Sequence, residues 1–306
     1  MLSRIAESLY WIGRYVERAE DTSRILDVHL GLLLDDPWAP EDVVCASLMS
    51  AMGHTGESAV STAEMLDRLA WDRSTPSSVI GSLAAARENA RRSRETVSTE
   101  LWESINVTFL EGSRPGRRAD PHGFLHWVRE RAAAFNGVAD ATLSRDEAWH
   151  FLLLGRSIER ADMTARLVAA RALAGDAGPS WVTLLQSCGA YQAFLRSANG
   201  TVDDRRSVEF LLLDRLFPRS VVHALATAEE SLAALNPGAT RAGVDDPARR
   251  PVGRLRNRLE YADPKQLTGQ LPELLSTLQE TCVQASEAIA RRYFQYQTPV
   301  AWERDG

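Results

Sequence analysis

The feature that most constrains this chain is a segment that occurs twice. Gly13-Arg-Tyr-Val-Glu-Arg-Ala-Glu-Asp-Thr-Ser-Arg24 returns as Gly155-Arg-Ser-Ile-Glu-Arg-Ala-Asp-Met-Thr-Ala-Arg166, with seven of twelve positions identical and the shared pattern G-R-x-x-E-R-A-x-x-T-x-R. An internal repeat of this kind implies two related supersecondary units. Neither copy contains proline, and apolar residues recur around each at helical spacing. At 100° per residue, Arg14, Glu17, Glu20 and Arg24 form one polar stripe, and Arg156, Glu159, Asp162 and Arg166 form its counterpart. This spacing lets opposite charges meet at i,i+3 and i,i+4. Yet Tyr10 and Ile25 project close to the first stripe, as do Trp149, Leu152 and Leu167 to the second. A helix that is apolar all round belongs inside a bundle, so these charges are expected to be partly buried and mutually paired, because an isolated buried charge is prohibitively costly. With Arg18 and Arg160 included, six guanidiniums face four carboxylates, which leaves two positive charges without a partner from this set.

The rest of the chain reads as helix. A long helix is expected over 3–34, with others near 41–52, 57–70, 77–94, 98–111, 122–138, 144–174, 181–198, 205–217, 218–235 and 272–293, and no stretch has the period-two pattern of a strand. Thr75-Pro76 reads as a cap and first-turn proline for the fourth of these. The breaker-rich stretches 112–121 and 236–251 are the expected surface loops. The expectation is one all-α multi-helix bundle over 1–306, built from remotely repeated halves of about 1–140 and 141–306.

Composition narrows the function classes. A net charge of −6 over 306 residues argues against nucleic acid as the main partner, since phosphate neutralisation needs clustered Lys and Arg. No 18-residue apolar run occurs, so no membrane span is expected. Cys45, Cys188 and Cys282 are far apart with no C-x-x-C spacing, which fits small buried hydrophobes in a reducing cytoplasm. The phosphate-loop, dinucleotide, nucleophile-elbow and H-E-x-x-H signatures are missing, and no cofactor is expected. His122 and His126 have metal-compatible spacing but no matching carboxylate nearby, so no metal is expected. Lys265, the lone lysine, sits in an Asp-Pro-Lys turn unsuited to a burial-lowered pKa.

Beyond the two Glu-Arg pairs, the segments Glu88–Asn106 and Phe210–Val221 complete a pattern that resembles the alpha-E domain family, bacterial all-helical proteins named for a Glu-Arg motif. The resemblance covers most of the chain and implies no established biochemical activity. What it implies is context: members are encoded beside, or fused to, a circularly permuted ATP-grasp protein, often with transglutaminase-like and proteasome-like proteins nearby. This chain has no ATP-grasp segment of its own, so the resemblance implies a separate helical partner in peptide or amide-bond chemistry.

Several readings of the Glu-Arg residues stay open at this point. They form a buried ion-pair network that fixes helix register, or a polar pocket whose spare Arg donors bind a carboxylate or peptide. In a third reading Glu17 and Glu159 are acid/base residues of an enzyme acting on an amide. Pro218 reads as a helix start that places Arg219 in the first turn, where the helix dipole disfavours a cation. Arg219 is therefore either an anion contact or a surface residue in solvent or paired with Asp214. Arg87, Arg91 and Arg94 align as a basic, solvated stripe.

Overall fold

The computed structural model describes residues 1–35, 40–54, 60–174, 179–197, 201–263 and 267–294. Its axis is α1 (Ser3–Asp35), uninterrupted because no proline falls within it, and buried along much of its circumference. After it come α2 (Glu41–Ala51), α3 (Thr62–Leu66), a π-helical turn (Asp67–Trp71), α4 (Val79–Arg92), α5 (Thr99–Gly112) and α6 (Pro121–Thr142). The second half opens with α7 (Glu147–Ala174), then α8 (Trp181–Ser187), α9 (Tyr191–Ser197), α10 (Asp204–Leu213), α11 (Val221–Leu235), α12 (Arg249–Glu260) and α13 (Leu271–Tyr293). The fold is all-α, with no strand among the described residues.

Element positions recur at the spacing of the twelve-residue motif. The motif copies stand 142 positions apart (13 to 155), and α11 begins at the same interval after α4 (79 to 221). α10 spans the residues that the same interval derives from α3 and its π-helical turn together (62 to 204, 71 to 213). Packing follows the same symmetry: α1 packs on α4 and α6, α7 packs on α11 and α13, and α1 and α7 pack on each other.

The α1–α7 contact depends on two glycines. A Cβ on Gly13 would run into the carbonyl oxygen of Leu152, and one on Gly155 into that of Tyr10. The helices therefore touch backbone to backbone, each glycine meeting the residue three before its counterpart. Contacts between the helices recur further along both, at Arg18–Glu159 and Glu17–Arg160, so the two helices run in the same direction with their motif copies side by side.

Local differences from the sequence reading have local causes. Helix α4 starts at Val79 because Ser78, rather than Thr75, caps it by accepting from the Gly81 amide; the Thr75 hydroxyl instead takes the Ser77 amide. The segment expected as a helix from 57 forms one only from Thr62, and residues 55–59 lie outside the described ones. The expected loop at 112–121 contains a 3₁₀ turn (Pro115–Ala119), and Pro121 opens α6. The expected helix 181–198 breaks at Gly189, whose φ of +63° ends α8. Within 236–251 the chain turns helical at Arg249, and α12 passed unseen because Pro251 reads as a breaker; in a first turn its missing N–H has no helical partner to lose. Ser220 caps α11, so Arg219 precedes that helix rather than riding its first turn. Lys265 lies outside the described residues.

The backbone contact makes a sharp prediction. Gly155→Ala should destabilise the protein by about 2 kcal/mol or more, because carbonyl and Cβ cannot share the space. Gly137→Ala, in α6 with nothing within 4 Å of the place its Cβ would take, should be neutral or stabilising. Urea unfolding of both variants checks this, and a Gly155→Ala midpoint equal to wild type would contradict the contact.

Candidate functional site: the Glu-Arg joint

Because the motif copies lie side by side, each Glu-Arg pair reaches across to the other helix. Arg18 Nε donates to Glu159 Oε1 at 2.5 Å and its Nη2 to Oε2 at 3.0 Å. Reciprocally, Arg160 Nε donates to Glu17 Oε1 at 2.5 Å. Both glutamates are buried, with side chains 0% (Glu17) and 2% (Glu159) exposed. The outer pairs repeat as well, within each helix: Arg24 donates to Glu20 at 2.8 Å and Arg166 to Asp162 at 3.0 Å. The expected stripe thus divides into i,i+4 pairs at its outer end and crossed pairs at its centre.

The symmetry breaks at one place. Arg14 Nε donates to Glu159 Oε2 at 2.6 Å, but Arg156 makes no matching bond to Glu17. Instead Arg156 Nη1 reaches Asn136 Oδ1 at 3.1 Å, and its buried Nε has no partner among the described residues. Arg219 takes the place at Glu17: its Nη1 lies 2.9 Å from Glu17 Oε1 and also bonds Asp21, while its Nη2 lies 2.5 Å from Glu20 Oε1. Arg219 is only 12% exposed, so it is a core cation and not a solvent-facing or Asp214-paired one. Asp214 is occupied in turn geometry, accepting from the amides of Leu216 and Phe217. Thr164 Oγ1 donates to the Arg219 carbonyl at 2.9 Å and fixes that backbone against α7.

Electrostatics follow from these contacts. Burial alone would raise Glu159, but Arg14 and Arg18 override it and hold the carboxyl at about 2. Burial is likewise outweighed at Glu17 by Arg219 and Arg160, which lower it. Asp21 goes the other way: burial, reinforced by Glu17 and Glu20, raises it to about 7 against the pull of Arg219. Arg156, buried beside Arg160, falls to about 10. Burial also raises Asp162. Arg14, Arg18, Arg24, Arg156, Arg160, Arg166 and Arg219 face Glu17, Glu20, Asp21, Glu159 and Asp162, so two guanidiniums remain in excess.

Next to Glu159 and Asp162 lies a cavity of about 210 Å³, also lined by Arg18, Arg166, Ser77, Met52 and Met163. A larger one of about 520 Å³ touches the joint only through Arg24 and otherwise runs past Arg129, Gln186 and Tyr191. Other residues singled out in the sequence lie elsewhere. His122 pairs with Asp27, and among the described residues no group of three His, Cys, Asp or Glu side chains could hold a metal. Arg87 and Arg94 lie over the Trp102 ring, and Arg91 pairs with Glu88. All three cysteines are buried thiols.

The motif reading missed Asp21 and the core role of Arg219. One signal could have revealed the latter, a second repeat at the same interval: Asp72-Arg-Ser-Thr-Pro-Ser-Ser-Val79 against Asp214-Arg-Leu-Phe-Pro-Arg-Ser-Val221. The two segments fold alike, Ser78 Oγ donating to the Asp72 carbonyl and Ser220 Oγ to that of Asp214, and each serine caps the helix that follows. The repeat puts Ser77 in one half where Arg219 stands in the other.

The chain belongs to the Alpha-E family, described as a predicted alpha-helical domain with a conserved ER motif, whose model matches residues 1–294. Uncharacterized proteins of Mycobacterium bovis and Mycobacterium tuberculosis are each 27% identical to it over 86% of this chain. The match takes up 33% of each relative, so the chain spans about a third of the length of the curated relatives it matches. No solved structure matches. Among the described residues no helix is long and apolar enough to cross a membrane.

The raised Asp21 gives a signed pH dependence. Its folded value, about 7, lies above its ordinary 3.8, so the native state holds that proton more tightly. The resulting stabilisation is complete below pH 4 and is lost as pH rises through 7. Wild type should therefore lose stability between pH 5 and 8 relative to Asp21→Asn, measured by urea unfolding at both values. Equal pH dependence of the two proteins would contradict it. Glu159, held low, acts outside this window, losing its contribution only as pH falls from 4.5 towards 2.

Proposed function

We propose that this chain is a non-catalytic binding partner of an ATP-grasp peptide or amide ligase, and that its Glu-Arg joint holds a carboxylate, free or at the end of a peptide. The observation that carries the binding role is the charge imbalance of the joint: five buried or half-buried carboxylates meet seven guanidiniums, and Arg18 and Arg166 border an adjoining cavity. Arginine forks match carboxylates bidentately and stay charged when buried, so they suit an anion.

The same geometry speaks against acid/base catalysis by Glu17 and Glu159. A general acid or base works best with a pKa near the operating pH, whereas paired arginines hold both glutamates low, Glu159 at about 2. The partnership draws on the genomic context of the alpha-E resemblance. It is further supported by the relatives, in which the matching region is a third of a longer chain.

The test is reconstitution with a circularly permuted ATP-grasp protein of the kind that the alpha-E resemblance implies. Under reducing conditions the two should co-purify, the ligase should form amide bonds faster with the chain present, and the chain alone should neither form nor cleave them. Amide turnover by the purified chain that disappears in a folded Glu17→Gln or Glu159→Gln variant would overturn this in favour of an enzyme. Two folded proteins that neither associate nor affect each other's rates would overturn the partnership.

A further inference from the structure

The cavity beside Glu159 is the place where one half of the molecule lacks what the other half supplies from its own chain. Moved by the repeat interval, Met52 of its lining becomes Phe194, while Arg18, Ser77, Glu159, Asp162, Met163 and Arg166 become Arg160, Arg219, Glu17, Glu20, Asp21 and Arg24. The latter are Arg219, its three carboxylate partners, and the arginines bonded to Glu17 and Glu20. In the second half the Arg219 guanidinium fills this position; in the first half Ser77 leaves it as about 210 Å³ of open space.

From this we infer that the cavity is a subsite for a free α-amino acid, its ammonium group seated by Asp162 where the Arg219 guanidinium would lie and its carboxylate held by Arg18 and Arg166. The inference rests on the reading of the joint as a carboxylate site and names the ligand.

Charge, free bonding capacity and size agree. Relative to the Arg219 side of the joint, the cavity side has Ser77 in place of one cation, Arg219, and Met163 in place of one anion, Asp21. The deficit is therefore a neutral pair of opposite charges, as an amino-acid zwitterion is. Among the described residues, Asp162 accepts from Arg166 through Oδ2 only, which leaves Oδ1 for an ammonium, and Arg166 donates through Nε only, which leaves both of its Nη groups for a carboxylate. Arg18 adds Nη1, engaged no further than a 3.4 Å contact to the Pro76 carbonyl. The volume lies below the roughly 300 Å³ at which pockets for drug-sized ligands begin, yet above the ~150 Å³ that admits benzene. That suits one amino acid, and the thioether side chains of Met52 and Met163 give an adaptable apolar wall for its side chain.

The experiment is calorimetric titration of the purified chain with a panel of free amino acids, with propionate and ethylamine as the two halves of alanine. At least one amino acid should bind, and its N-acetyl and carboxamide derivatives should bind about tenfold more weakly or worse, since each leaves a charged partner in the cavity unmatched. Ser77→Arg combined with Met163→Asp rebuilds the arrangement of the second half, and should fill the cavity and abolish binding while the fold persists by circular dichroism. Asp162→Asn should weaken amino acids but not simple carboxylates. Propionate binding as tightly as alanine would overturn the amino-acid assignment and leave the carboxylate reading standing. No binding by any amino acid, or undiminished binding by the folded double variant, would overturn the subsite, while association with the ligase is decided by its own reconstitution.

Discussion

Two buried glutamates, each answered by an arginine from the other helix, are the constraint around which this molecule is built. An ion pair removed from water is not in itself stabilising, because desolvation costs several kcal/mol per ion and the attraction only offsets it when geometry is good and the remaining atoms are bonded. Glu159 meets that condition, both its oxygens being taken by Arg14 and Arg18. Glu17 meets it less fully, since one oxygen is buried without a donor among the described residues. What the crossed pairs contribute is specificity: a shift of α1 against α7 by one residue would leave two carboxylates and several guanidiniums unpaired in the core.

Such pairs form only if the helices come close, and the glycine that begins each motif makes this possible. Gly13 and Gly155 let one backbone rest on the other, and the arginine-glutamate reach of the following turn then spans the gap. Backbone contact, side-chain reach and charge order are consecutive consequences of one short sequence, which accounts for its appearance in both halves. The flanking helices then repeat around it, α4 and α6 on one side and α11 and α13 on the other.

Much of this was legible in the sequence. Period and breakers gave the all-helical class, and the apolar residues ringing each stripe foretold that the charges are buried. Helix ends were less legible where a serine competed with a nearby threonine-proline, as at Ser78, or where a proline fell inside a first turn, as at Pro251. Who pairs with whom was not legible, because i,i+4 spacing describes one helix and says nothing of a second beside it; Glu17 and Glu159 turn to the partner helix, Asp162 stays with Arg166 on its own, and Glu20 is shared by Arg24 and Arg219. Arg219 was misplaced because its position depends on a capped turn that becomes recognisable only beside its copy at Asp72–Val79.

Where the halves differ is as informative as where they agree. Arg219 and Asp21 close one side of the joint, and Ser77 and Met163 leave the other open beside arginines with donors to spare. The joint rests on the crossed pairs themselves, and double-mutant cycles on Arg18 with Glu159 and on Arg160 with Glu17, read by chemical denaturation, address them most directly. Coupling of about 1.5 kcal/mol or more in both cycles, the size found for close charge pairs, is the result this structure predicts. Coupling near zero in either would mean that α1 and α7 are not joined through these residues.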